Sequence, residues 1–188
     1  MLKVNKHQKI LLLKYARKSI ADYLEIDLRF NKSDLADPIF QKKFGLFVTI
    51  HTKENLRGCI GYVSAFKNLL ESLKDLSLAA AFKDFRFNPL TVSEFYNIDL
   101  EISLLSSLVQ VQEVSEIVIG QDGLFISQED KSGLLLPQVA TKYNWDLITF
   151  LENTCLKAGL EKNFWKLKDV KIEKFSAQIF AEKELGII

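Results

Sequence analysis

The chain has 188 residues but only two cysteines, two histidines, three prolines and one methionine, and these shortages exclude much. Cys59 and Cys155 stand almost a hundred residues apart, so no disulfide framework is expected in a chain of this kind. No spacing of Cys or His matches a zinc or iron–sulfur site, and neither metal nor cofactor is expected. Glycine-rich phosphate loops and nucleotide fingerprints are missing too. No apolar run is long enough to span a bilayer. The opening stretch mixes Lys and His into its apolar residues and lacks a small-residue cleavage site. It reads as an amphipathic helix rather than a signal peptide, and a cytoplasmic location is expected. Charge of one sign is absent as well: 25 Lys and Arg face 24 Asp and Glu, a net charge of +1, which gives no footprint for nucleic acid.

What remains is ordinary globular material, 48% hydrophobic and 26% charged, with no repeat, low-complexity segment or Pro/Gly/Ser linker. Residues 6–24 carry a helical stripe at Leu13, Ala16, Ile20 and Tyr23. Residues 25–43 read as a long loop. Two strands follow, one opened by Gly45 and one around Cys59, joined as an antiparallel hairpin through the polar residues 52–55. Residues 65–82 form a second helix with Ser64 as N-cap, and Asn88-Pro89 closes the connector after it. Residues 91–95 suggest a helical turn and residues 98–105 a strand with one wet face. Asp122-Gly123 suggests a hairpin between residues 117–120 and 124–126, with a second turn at 130–133 leading into 134–136. Pro137 opens a short helix and Asn144 caps a longer one that Gly159 ends. In the last strand Val170 and Ile172 are out of phase with Phe175, Ala177 and Ile179, which predicts a bulge near Glu173-Lys174. Interspersed helices and strands with short turns indicate an α+β fold, mostly antiparallel sheet with flanking helices.

The stretch Leu56-Arg57-Gly58-Cys59-Ile60-Gly61 carries the chemistry. If it is extended, Leu56 and Ile60 point to a core, and Arg57 and Cys59 share the other face. A guanidinium beside a thiol favours the thiolate, the reactive form. Gly58 and Gly61 let backbone or a ligand approach closely. His51, at the end of the neighbouring strand, is a possible partner for Cys59 if the register allows. Gln138 offers its amide to a ligand or to a helix cap. Cys155 sits on an apolar helical stripe and reads as core.

LRGCIG at 56–61 is similar to the hallmark of the AMMECR1 family. GLFVTI at 45–50, AAAFKDFRFNPLT at 79–91, IDLEISLLS at 98–106, IGQDGL at 119–124, GLLLPQVA at 133–140 and NWDLITFLENTCLKAGL at 144–160 resemble its other blocks in order. Phe85 stands where the family more often has Pro, and Asn144 where it commonly has Gly. The resemblance implies a single AMMECR1-like domain over 1–188, with a larger and a smaller lobe and a cleft lined by LRGCIG. It implies Asp84 and Arg86 as further cleft residues. It also implies association with a MEMO-like protein and a radical-SAM enzyme, and hence a modification pathway. Two functions follow as expectations. One is an enzyme, or enzyme component, in which Cys59 attacks or tethers a substrate while Arg57 and Arg86 hold an anionic group. The alternative is a non-catalytic module that binds a protein or ligand through the same cleft and the connector at 82–88.

Overall fold

In the computed structural model, residues 3–167 and 169–188 are described. In chain order the elements are α1 (Lys6–Tyr23), β1 (Gly45–Thr52), β2 (Asn55–Tyr62), α2 (Leu69–Phe82), α3 (Val92–Phe95), β3 (Ile98–Leu105) and β4 (Val109–Gln110). They continue as β5 (Gly123–Gln128), β6 (Lys131–Leu135), α4 (Pro137–Lys142), α5 (Leu147–Lys157), β7 (Lys171–Phe175) and β8 (Ala177–Ala181). The chain divides into two compact units, residues 1–105 with 178–188 and residues 106–177.

The first unit is built on a four-stranded sheet of order β2-β1-β3-β8. Alternation along β1 turns Leu46, Val48 and Ile50 inward, and along β3 it does the same for Ile98, Leu100, Ile102 and Leu104. The helical period of α1 supplies Leu12, Leu13, Ala16 and Ile20, and α2 adds Leu69, Leu73, Leu76 and Ala80 to one core. Asn5 and Gln8 form a reciprocal capping box at the start of α1. Asn68, not Ser64, caps α2 by accepting the Glu71 amide, so that helix starts later than its apolar pattern suggested. Glu182, fully buried, accepts the Leu100 amide and pairs with Arg17 at 2.6 Å. Arg17 also donates to the carbonyls of Phe95 and Ile98, so both charges have their partners.

The second unit has the sheet order β4-β7-β5-β6. Its core gathers Leu124, Ile126, Ala140, Phe150, Leu151 and Cys155. The expected hairpin at Asp122-Gly123 is not formed. The Asp122 carboxylate accepts the Val118 amide and closes a loop there, and the hairpin lies one strand later, between β5 and β6, with Glu129 at φ 51° in its turn. Asp146, not Asn144, caps α5. Asn144 instead holds φ 53°, a left-handed backbone conformation that asparagine adopts more readily than most residues. The phase break after Ile172 is not a bulge. Residues 171–175 belong to one sheet and residues 177–181 to the other, so the strand changes sheets at Ser176 and each half keeps its own alternation. The α+β class, with antiparallel pairing in both sheets, is as expected.

Candidate functional site

The site begins at the edge of the first sheet. β2 is its edge strand and pairs with β1 in register Thr49↔Cys59 and Ile50↔Gly58, but His51 pairs with Leu56. Arg57 is therefore an extra residue in a bulge. That bulge breaks the simple alternation, and Leu56 is 42% exposed rather than buried. Beyond the bulge the expected pattern resumes. Gly58 faces α2, Ile60 packs on the core, and Cys59 and Gly61 face the other way.

Both glycines are occupied by the protein itself. A Cβ on Gly58 would lie 2.2 Å from the Ala80 carbonyl oxygen of α2, and one on Gly61 would lie 2.3 Å from the Phe47 ring. The close approach that these residues permit is of helix backbone and a neighbouring ring.

The connector after α2 turns back on β2 and closes its edge. The Cys59 amide donates to Asp84 Oδ2 at 2.9 Å, and Arg86 Nη2 donates to the Cys59 carbonyl at 3.2 Å. Two side chains thus take the place of a further strand at this residue. Asp84 and Arg86 are joined fork to fork, Nε to Oδ1 at 2.8 Å and Nη2 to Oδ2 at 2.6 Å. Hydrogen bonds from Arg86, together with the Cys59 amide, hold the Asp84 carboxyl well below the usual carboxylate range despite its burial. Asp84 raises Arg86 in turn. The Asp84 side chain is 2% exposed and the Arg86 side chain 44%, so one anchors and the other reaches solvent.

Arg57 does not stand beside the sulfur. Its guanidinium clasps both oxygens of Glu94, at 2.8 and 3.2 Å, and the Asn88 carbonyl at 2.8 Å, and it lies over the Phe87 ring. These hydrogen bonds bring the Glu94 carboxyl down to about 2. Glu94 also completes a capping box with Thr91 at the start of α3. Arg57 is accordingly a brace between β2, the connector and α3. The guanidinium that reaches Cys59 is that of Arg86, which also lies over the Phe87 ring.

Cys59 is half-buried, and the Thr49 hydroxyl donates to its Sγ at 3.3 Å. Because the Cys59 amide and carbonyl point away from β1, Cys59 and Thr49 form a non-hydrogen-bonded pair, the arrangement that brings side chains closest. Thr49, rather than His51, is the neighbour opposite the thiol. Sequence reading missed Thr49 because register is invisible in an isolated strand. It also missed Glu94, although Thr91-Val92-Ser93-Glu94 carries a capping-box spacing. Arg57, Gly58, Cys59, Gly61, Asp84 and Arg86 come together in the first unit. Gln138 belongs to the second, on α4, where its Oε1 is buried with no hydrogen-bond partner among the described residues. No group of three or more His, Cys, Asp or Glu among the described residues is arranged to hold a metal ion.

Other proteins share this chain's pattern. A family model described as AMMECR1 matches residues 13–180. Protein MJ0810 of Methanocaldococcus jannaschii is 41% identical over 180 residues, 92% of this chain and 89% of that protein. Protein Ta0236 of Thermoplasma acidophilum is 44% identical over 156 residues, 79% of this chain and 76% of that protein. The crystal structure of the uncharacterized protein PH0010 from Pyrococcus horikoshii matches with a TM-score of 0.83 and 34% identity, covering 93% of this chain and 91% of that one. Matched by the family pattern over most of its length, and by these relatives over the greater part of theirs, the chain belongs to the AMMECR1 family.

Proposed function

We propose that this AMMECR1 chain is a thiol-dependent enzyme, or the thiol-bearing component of one, with Cys59 as the reacting group. One observation carries the reading. The main chain of Cys59 is fixed on both sides by Asp84 and Arg86, while among the described residues its half-buried sulfur has one hydrogen bond, from the Thr49 hydroxyl. A nucleophile held by its backbone keeps its aim without its reacting atom being tied up. Arg86, with its partly exposed guanidinium, is the group to hold an anionic part of the substrate and to counter charge that builds on sulfur during attack. Arg57, 13% exposed and engaged by Glu94 and Asn88, is left to the scaffold. A modification step shared with a MEMO-like protein and a radical-SAM enzyme, inside the cytoplasm, suits a component of this kind. Among the described residues no helix is long and apolar enough to cross a membrane.

The test is competitive alkylation. Iodoacetamide at neutral pH, read by mass spectrometry, is expected to label Cys59 at least about tenfold faster than Cys155. Cys155 is fully buried and burial pushes its thiol up, so it serves as an internal slow standard. Equal rates would sink the thiol reading. The second reading, a binding module, draws on Phe85, which is 95% exposed at the tip of the connector. It would then be favoured.

A further inference from the structure

The start of β3, the turn between β1 and β2 and the C-terminal residues of the first unit form a pocket of about 500 Å³. Pockets of this size hold small organic ligands. Glu101 of β3 stands half-buried in the lining, and no hydrogen bond or ion pair joins its carboxyl to another described residue. Asp99 and Glu184 act on it as like charges, and His51 opposes them. A half-buried carboxyl without a partner costs stability, the more so among like charges. Tyr96 lines the same pocket and is 68% exposed. Its ring meets the buried Phe95 ring edge-on, 5.5 Å between centroids, so it is steadied from one side while most of it stays open.

We propose that this pocket binds an organic cation, an ammonium or guanidinium group on an aliphatic stem, with Glu101 as its counter-charge and Tyr96 as its aromatic wall. The inference is independent of the thiol reading. A cation gives Glu101 the partner that the protein does not supply, and an aromatic ring attracts positive charge over its face. Ile188, 60% exposed in the same lining, offers apolar surface to the stem. Two lysines line the pocket as well, but both are exposed, and Lys183 pairs with Glu54 at 3.7 Å. An anion would have to settle against the unpartnered Glu101 with Asp99 close by, so the balance of charge favours a cation. A bare metal ion does not suit the lining, because no group of three or more His, Cys, Asp or Glu among the described residues is arranged to hold one.

The experiment is an amide NMR titration of the full chain at neutral pH and low ionic strength, which reads both affinity and place. The probes are n-pentylamine and its neutral counterpart 1-pentanol. Pentylamine is expected to bind with a Kd of about 1 mM or tighter, with its shifts centred on His51, Tyr96, Asp99 and Glu101, and pentanol at least about tenfold more weakly. Glu101→Gln, with melting curves to verify folding, weakens pentylamine at least about tenfold, and Tyr96→Ala weakens it about threefold. Should Glu101→Gln fail to fold, Tyr96→Ala and the pentanol comparison decide. A third probe, Nα-acetyl-lysine methylamide, separates the sources of such a cation. If it binds as tightly as pentylamine, the pocket takes a lysine side chain; if it is rejected, the pocket takes a free amine, and either result upholds the cation site. Pentanol binding as well as pentylamine, unchanged pentylamine binding in both variants, or shifts centred elsewhere would overturn it.

Discussion

Replacing Gly58 by alanine tests the geometry on which the site is built. The new Cβ would lie 2.2 Å from the Ala80 carbonyl oxygen and 3.2 Å from its carbon. An ordinary carbon–oxygen contact is about 3.3 Å, so β2 and α2 would have to part by roughly 1 Å. Neither side yields easily. The obstacle is helix backbone, and α2 is fastened by Leu69, Leu73, Leu76 and Ala80 in the main core. Overpacking of this kind costs about 1–3 kcal/mol or more. Against it, alanine restricts the unfolded chain and returns about 0.4–1 kcal/mol. The clash prevails, with a net loss of roughly 2 kcal/mol, which in a chain of this size lowers Tm by about 4–8 °C. Gly159→Ala is the control. Gly159 has φ +74° but nothing within 4 Å of its ideal Cβ, so only a left-handed backbone is strained. After the same entropic return that costs about 1 kcal/mol. Scanning calorimetry of the three chains separates the two effects. If Gly58→Ala melts at or above the wild type, or no lower than Gly159→Ala, the packing of α2 on β2 described here is wrong.

The ion pairs give two further expectations. The Glu94 carboxyl is brought from its ordinary 4.5 to about 2, chiefly by Arg57, so the folded state binds its proton more weakly than the unfolded state does. Its contribution is present in full above about 4.5 and fades as pH falls towards 2; urea midpoints of the wild type and Glu94→Gln should therefore differ at neutral pH and converge in acid, and a constant difference would refute the linkage. Asp84→Ala leaves the Cys59 amide without its acceptor at the sheet edge. A hydrogen bond to a charged group contributes about 1.5–3 kcal/mol, so amide hydrogen exchange at Cys59 should quicken by about 10–100-fold, and an unchanged rate would show that Asp84 does not close the edge.

Much of this architecture is legible in the sequence, and the failures share a cause. The stripes of α1 and α2 and the alternation of β1 and β3 are local patterns, and each appears near where its period puts it. The hairpin of β1 and β2 is local too. What local pattern does not carry is register and partnership. One extra residue at Arg57 shifts Leu56 to solvent, and nothing in the letters marks that position as the bulge. The phase break after Ile172 was visible, but a bulge and a change of sheet leave the same trace in a strand pattern. Asp84 and Arg86 satisfy a strand edge some 25 residues earlier in the chain, a bond that only the folded molecule defines.

The hexapeptide itself shows how such a motif divides its labour. A glycine in a sequence announces a space, not its occupant. At Gly58 the occupant is the Ala80 carbonyl, and at Gly61 it is the Phe47 ring. Arg57 braces α3, and Ile60 packs on the core. Even the main chain of Cys59 is committed, to Asp84 and Arg86. So four of the motif's six side-chain positions, and the backbone of a fifth, answer to packing and edge closure, for which a small apolar residue at position 59 would serve as well as a thiol. Apart from the Leu56 side chain, which is 42% exposed, the sulfur is the group that these duties do not require. That is why the chemistry proposed for this fold is to be sought at that atom, beside the Thr49 hydroxyl that donates to it.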